Sequence, residues 1–99
     1  MNYRLVVNPR AARDAEEAAE WYEKQSKELG KEFINALDAA LKSILDNPNK
    51  YALLRKNFRR VIVNRFPFGI FYLIENDTLV VLSIWHFKRK PFAWLRKEK

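Results

Sequence analysis

Cysteine is absent, which removes disulfides, thiolate metal ligands and a sulfur nucleophile together. Histidine occurs once, at His86, so neither a multi-histidine metal centre nor a two-histidine acid/base pair is available. Two glycines are too few to build a glycine-rich phosphate loop. No apolar run approaches the ~20 residues that span a bilayer, and Met1-Asn2-Tyr3-Arg4 lacks the apolar core of a signal segment. These absences predict a soluble, cytoplasmic protein with no cofactor, no metal and no membrane partner.

What is present is a core and an uneven charge. The 99 residues are 48% apolar and 14% aromatic, enough for one core and one domain over residues 1–99. The formal net charge is +7. Residues 1–49 hold 7 Lys/Arg against 9 Asp/Glu, a net −2, whereas residues 50–99 hold 12 against 3, a net +9. The positive half is built from two clusters. One is Lys50, Arg55, Lys56, Arg59, Arg60 and Arg65; the other is Lys88, Arg89, Lys90, Arg96, Lys97 and Lys99. Such asymmetry fits either a polyanionic or acidic partner that meets the second half, or a merely solvated surface.

Periodicity divides the chain into helices followed by strands. Tyr3 to Val7 is a short β-type run. Asn8-Pro9 ends it and begins a helix, the asparagine as cap and the proline in the first turn. Ala11, Ala15, Ala18, Ala19 and Tyr22 follow a helical period, and Gly30 is the expected stop. The acids of this helix, Glu16, Glu17, Glu20 and Glu23, read as a solvated face. A second amphipathic helix runs through Phe33, Leu37, Leu41 and Ile44 to Asn47-Pro48. Beyond it the period falls to two. Phe58–Arg65, Phe68–Glu75 and Thr78–His86 read as strands, with a bend at Phe66-Pro67 and a tight turn at Asn76-Asp77. Leu79-Val80-Val81-Leu82 is apolar on both faces, so this strand belongs inside a covered sheet. Pro91–Lys97 adds a short terminal helix or an extended tail. The predicted fold is α+β, β-α-α-β-β-β, with a helical hairpin packed on a mainly antiparallel sheet.

The segment richest in chemistry is Ile84-Trp85-His86-Phe87-Lys88-Arg89-Lys90-Pro91-Phe92-Ala93-Trp94. Cations interleaved with aromatic rings suit single-stranded nucleic acid and suit an acidic peptide equally well. Taken singly, His86 reads as a hydrogen-bonded strand-end residue, and Phe87, Phe92 and Trp94 as packing for the tail. RNA cleavage would need a base, an acid and positive charge for the developing dianion. His86 or a lysine is the candidate base, and Arg59, Arg60, Arg65 or Arg89 the candidate charge. The cations flanking the last strand are expected to share one contiguous face.

Taken together, these motifs resemble the RelE/ParE superfamily of type II toxins, nearer the ParE-like branch. The resemblance rests on Ala11-Ala12-Arg13-Asp14, Trp21-Tyr22, Asn47-Pro48, Arg59-Arg60, Arg65-Phe66-Pro67-Phe68-x-Ile70-Phe71-Tyr72 and Ile84-x-His86-x-Lys88-Arg89-x-Pro91-x-x-Trp94. It implies a growth-arresting toxin neutralised by a cognate antitoxin whose C-terminal segment wraps it. RelE-like members cut messenger RNA on the ribosome without a metal, and ParE-like members block DNA gyrase. The terminal position corresponding to a RelE-like proton-accepting group is Trp94, which favours the gyrase-type reading. The resemblance then places target or antitoxin binding on Arg59, Arg60, Arg65, Tyr72, His86, Lys88, Arg89, Lys90 and Trp94. The alternatives are a ribosome-dependent mRNA endonuclease using Arg59, Arg65, His86 and Lys88 or Arg89, and an inactive antitoxin-binding relative.

Overall fold

Asn8 fixes where the first strand becomes the first helix. Its side-chain oxygen accepts the Arg10 amide proton at 3.0 Å, and Pro9 occupies the first helical position, where a missing N–H costs nothing. In this computed structural model, which describes residues 2–55, 57–90, 93 and 94, β1 (Arg4–Val7) thus leads directly into α1 (Pro9–Gln25). Then come α2 (Leu29–Asp46), a 3-10 turn (Pro48–Lys50), β2 (Leu53–Arg55), β3 (Phe58–Ile62), β4 (Phe68–Glu75) and β5 (Thr78–His86).

The strands form one five-stranded sheet in the order β1-β5-β4-β3-β2. β1 runs parallel to β5, and the other neighbours are antiparallel. The α+β architecture and the succession of helices and strands agree with the sequence reading. Both helices cover one face: Ala11, Phe33, Leu37, Ala40 and Ile44 pack onto a sheet surface that includes Val61, Val63, Ile70, Tyr72, Leu79 and Val81. The opposite face carries a smaller aromatic cluster of Phe58, Phe71, Trp85 and Trp94.

Four features depart from the sequence reading. β2 was not expected, because Leu53-Leu54-Arg55 is too short to show alternation and it pairs only at the sheet's edge. β3 ends at Ile62 rather than Arg65, since Arg65 adopts the left-handed conformation (φ 73°) and turns the chain toward β4. Gly30 does not stop the first helix. Residues 26–28 make that turn, Glu28 takes the left-handed conformation (φ 75°), and Gly30 lies in the first turn of α2. Glu23 is not simply solvated: its carboxylate accepts the amides of Glu28 and Gly30, both at 3.0 Å, and so satisfies donors left open at the start of α2. The short terminal helix or extended tail expected over Pro91–Lys97 lies outside the described residues except for 93 and 94, as do Lys56, Phe92, Arg96, Lys97 and Lys99.

Gly30 is needed for closeness, not for a turn. A Cβ there would lie 2.6 Å from the Ala19 carbonyl oxygen of α1, a backbone atom that cannot swing aside. In an open helix, alanine would be favoured over glycine by ~1 kcal/mol. Here Gly30→Ala should instead destabilise the protein by about 1–3 kcal/mol, because the helices must separate. A urea titration beside the wild type checks the sign.

Candidate functional site

β5 outruns its parallel neighbour. β1 pairs as far as Val81, whereas β5 continues to His86, so its last stretch has an edge with no strand beside it. α1 closes that edge through Asp14. One carboxylate oxygen accepts the Ile84 amide at 3.2 Å and the Ser83 hydroxyl at 3.3 Å, and Arg10 lies 4.0 Å from it. Burial pushes the Asp14 carboxyl above its usual value of 3.8, outweighing the Ile84 bond, the Arg10 charge and the Ser83 bond, which pull it down.

The phase of β5 is set by a bulge. Tyr72 faces Val81 but Phe71 faces Ser83, so Leu82 is an extra residue. Before the bulge, Leu79 and Val81 point toward the helices. After it, Ile84 packs in that same core, and His86 lies opposite Phe68, its ring 4.9 Å from the Phe68 ring. Trp85 joins the aromatic cluster on the opposite face.

Between α1 and this end of the sheet is a cleft of about 370 Å³. Asp14, Glu17, Ala18 and Trp21 line it from the helix, and Phe68, Ile84, His86 and Arg89 from the sheet side. Its aromatic wall is fixed: Tyr22 touches Phe33, Phe66 and Phe68, with ring centroids 5.2, 4.9 and 6.3 Å away. Trp21 stands at the rim, 58% exposed. The Arg89 guanidinium lies 3.9 Å above the Trp85 ring, and among the described residues it makes no hydrogen bond or ion pair.

His86 is held in one tautomer. Its Nδ1 accepts the Lys88 amide at 2.9 Å, so in the neutral ring the proton resides on Nε2. Burial lowers the pKa below 6.5, and the charges of Lys88 and Arg89 lower it further. The ring therefore offers a donor, and its one acceptor nitrogen is already used.

The remaining residues singled out from the sequence do not converge here. Arg59 and Arg60 are neighbours on a strand and so face opposite ways. Arg59 lies beside Tyr72 on the helix side, donating to the Tyr51 carbonyl and to Asn49 Oδ1, and braces the segment before β2. Arg60 lies across the sheet, its guanidinium 5.7 Å from the Phe87 ring. Arg65 pairs with Glu32 of α2 at 2.8 Å. Lys88 and Lys90 are exposed in the turn beyond β5. Tyr72 and Trp94, expected on a binding surface, are fully buried. Tyr72 donates to the Pro48 carbonyl at 2.8 Å, and burial above all pushes its pKa up to about 12. Trp94 packs on Phe58 and Phe71. The expected contiguous cationic face is thus replaced by a split set, of which His86, Lys88, Arg89 and Lys90 stay together. Of the residues lining the cleft, His86 and Arg89 are among the sequence candidates, whereas Asp14 and Trp21 are among those the sequence reading does not single out. Trp21 had a signal, a large aromatic broadening an alanine stripe among glutamates.

Two measurements check this geometry. Asp14→Ala should cost about 1–3 kcal/mol by leaving the Ile84 amide unpaired, whereas Asp14→Asn keeps an acceptor there and should cost less. Because Asp14 titrates higher in the folded state, its ionisation opposes folding as pH rises above 3.8, and that dependence should vanish in Asp14→Asn. His86 acts with the opposite sense. Its lowered pKa means the unfolded chain binds the proton first, so stability should fall as pH drops through 6.5. Nitrogen NMR should show Nε2 protonated and Nδ1 bare at neutral pH.

Comparison with known proteins agrees with this fold. A family model described as the ParE toxin of the type II toxin–antitoxin system, parDE, matches residues 5–91. Among solved structures, a chain of the chromosomal ParDE system of P. aeruginosa is 17% identical with a TM-score of 0.76, covering 85% of this chain and 95% of that one. The S. aureus YoeB dimer structure gives 18% identity and a TM-score of 0.62, covering 88% and 100%. A mutant of the E. coli toxin RelE in the free state gives 15% and 0.58, covering 87% and 84%. Comparison with curated proteins gave no match. The chain belongs to the ParE toxin family of type II toxin–antitoxin systems, a membership that implies a cognate antitoxin as its partner.

Proposed function

We propose that this toxin arrests growth in the cytoplasm by binding and inhibiting a target protein, DNA gyrase, and not by cutting RNA. The observation that carries the reading is the state of His86. A metal-independent ribonuclease needs a base placed to take the 2′-hydroxyl proton. The acceptor nitrogen of His86 is held by the Lys88 amide, the Tyr72 hydroxyl is buried with a pKa of about 12, and Trp94 has no basic group.

Spacing supports the same reading. Arg59 pairs with Tyr72 and His86 with Phe68, so four residues of β4, roughly 13 Å, and two strand spacings, roughly 10 Å, lie between them. Arg59 and Arg65 are moreover tied to Tyr51 and Glu32. What this end of the molecule offers is a donor surface, His86 Nε2 with Lys88, Arg89 and Lys90, suited to recognising an acidic partner surface. No helix among the described residues is long and apolar enough to cross a membrane.

Purified toxin should abolish supercoiling by gyrase, or trap cleaved DNA, while leaving mRNA on programmed ribosomes intact. Fragmented mRNA would overturn the reading, and inactivity in both assays would favour an inactive antitoxin-binding relative. His86→Ala combined with Arg89→Ala should lower gyrase inhibition at least about tenfold, the effect of losing roughly 1.4 kcal/mol of binding, with an unchanged circular dichroism spectrum. Full inhibition by that variant would place the working surface elsewhere.

A further inference from the structure

We propose that the sheet face opposite the helices carries the apolar half of the target-binding surface. A platform of Arg60, Ile62 and Phe87 there seats an apolar side chain flanked by carboxylates on the target protein. The inference rests on the target-protein reading above and adds where that protein is gripped.

The platform is organised around Gly69. In the sheet Gly69 pairs with Ile62 of β3 on one side and with Trp85 of β5 on the other. Having no side chain, it leaves a gap in the face, and two diagonal neighbours fill it. A Cβ on Gly69 would lie 3.0 Å from Arg60 Cδ and 3.2 Å from Phe87 Cε1. Arg60 thus lays its aliphatic stem on the sheet, with its guanidinium 5.7 Å from the Phe87 ring centre. Phe87 is pinned in turn, because its amide donates to the Pro67 carbonyl at 2.9 Å.

The apolar groups so arranged stay open. Phe71, Trp85 and Trp94 on the same face are buried, whereas Ile62 is 55% exposed and Phe87 41%. Single apolar residues on a surface are ordinary. Two that flank a bare glycine, with an arginine laid between them, have the composition of an interface centre.

Three features fit this face to one kind of occupant. Phe87 leads directly into Lys88, Arg89 and Lys90, so the platform continues the donor surface at the end of β5. Arg60 makes no hydrogen bond or ion pair among the described residues, which leaves its charge open to a partner. No Asp or Glu occurs in residues 47–74 or 78–97, so a partner's carboxylates meet no nearby competitor along these stretches. An acidic protein surface with an apolar centre answers all three. A nucleic-acid strand answers fewer: Arg60 already lies over the Phe87 ring, where a base would stack, and Ile62 offers nothing to a phosphate.

The test compares the intact toxin with Phe87→Ala and Ile62→Thr. Both positions are exposed, and threonine keeps a β-branched residue in the strand. Each substitution should weaken gyrase inhibition at least about tenfold, with circular dichroism and thermal unfolding unchanged. The inducer level needed for growth arrest in cells should rise in parallel. A short labelled single-stranded RNA should bind wild type and Phe87→Ala alike, and sedimentation should give both the same mass. Full gyrase inhibition by either variant, or unchanged growth arrest, would overturn the assignment. So would RNA binding lost in Phe87→Ala, which would make this a nucleic-acid surface, or a wild-type dimer that Phe87→Ala dissolves, which would make the occupant a second copy. The gyrase reading fails separately. A wild type that arrests growth without touching gyrase, while both variants lose the arrest, would overturn that reading alone; a wild type inactive in both assays would overturn both.

Discussion

The Asp14 carboxylate ties α1 to the stretch of β5 that has no neighbouring strand. β5 must extend past β1 to carry His86 and the basic turn to the surface, and a strand without a neighbour exposes amides that otherwise need water or an acceptor. One side chain from the first turns of α1 supplies that acceptor and binds helix to strand at the base of the cleft. The cost is a carboxylate held in a partly buried place, visible as its raised pKa. Helix, strand end and cleft share this interaction, so the shape of the site and the docking of α1 are one problem.

The same economy shows in how the cations are used. Three arginines brace the scaffold: Arg59 holds the approach to β2, Arg65 ties a left-handed turn to α2, and Arg10 sits beside Asp14. A sequence rich in basic residues therefore gathers fewer of them in one place than its composition suggests. What remains at the end of β5 is compact because a single short turn presents it.

Most of the fold was legible because its signals are local. The helical stripe from Ala11 to Tyr22, the two-residue alternation of Val61-Ile62-Val63 and the punctuation by Pro48 and Asn76-Asp77 each follow from the chain's own periodicity. The misreadings came from tertiary demands. Gly30 has the composition of a stop signal, yet it answers the approach of a second helix. Tyr72 and Trp94 look like binding residues in a motif, but both are buried, Tyr72 in the core under the helices and Trp94 among Phe58, Phe71 and Trp85. Arg59-Arg60 looks like a cluster and is a pair split across a sheet. The cleft itself was invisible, since Asp14, Trp21 and His86 come together only when α1 covers the open edge of β5.

The bulge at Leu82 has a consequence for tracing ancestry. Pairing on either side of it, Tyr72 with Val81 and Phe71 with Ser83, does not depend on the extra residue. A homologue lacking it would keep its histidine against the same phenylalanine while bringing it one place nearer the hairpin. Alignments that count forward from Asn76-Asp77 would then superimpose that histidine on Trp85, and an ungapped comparison would score a retained site as lost. Equivalence here has to be reckoned backward from the basic turn.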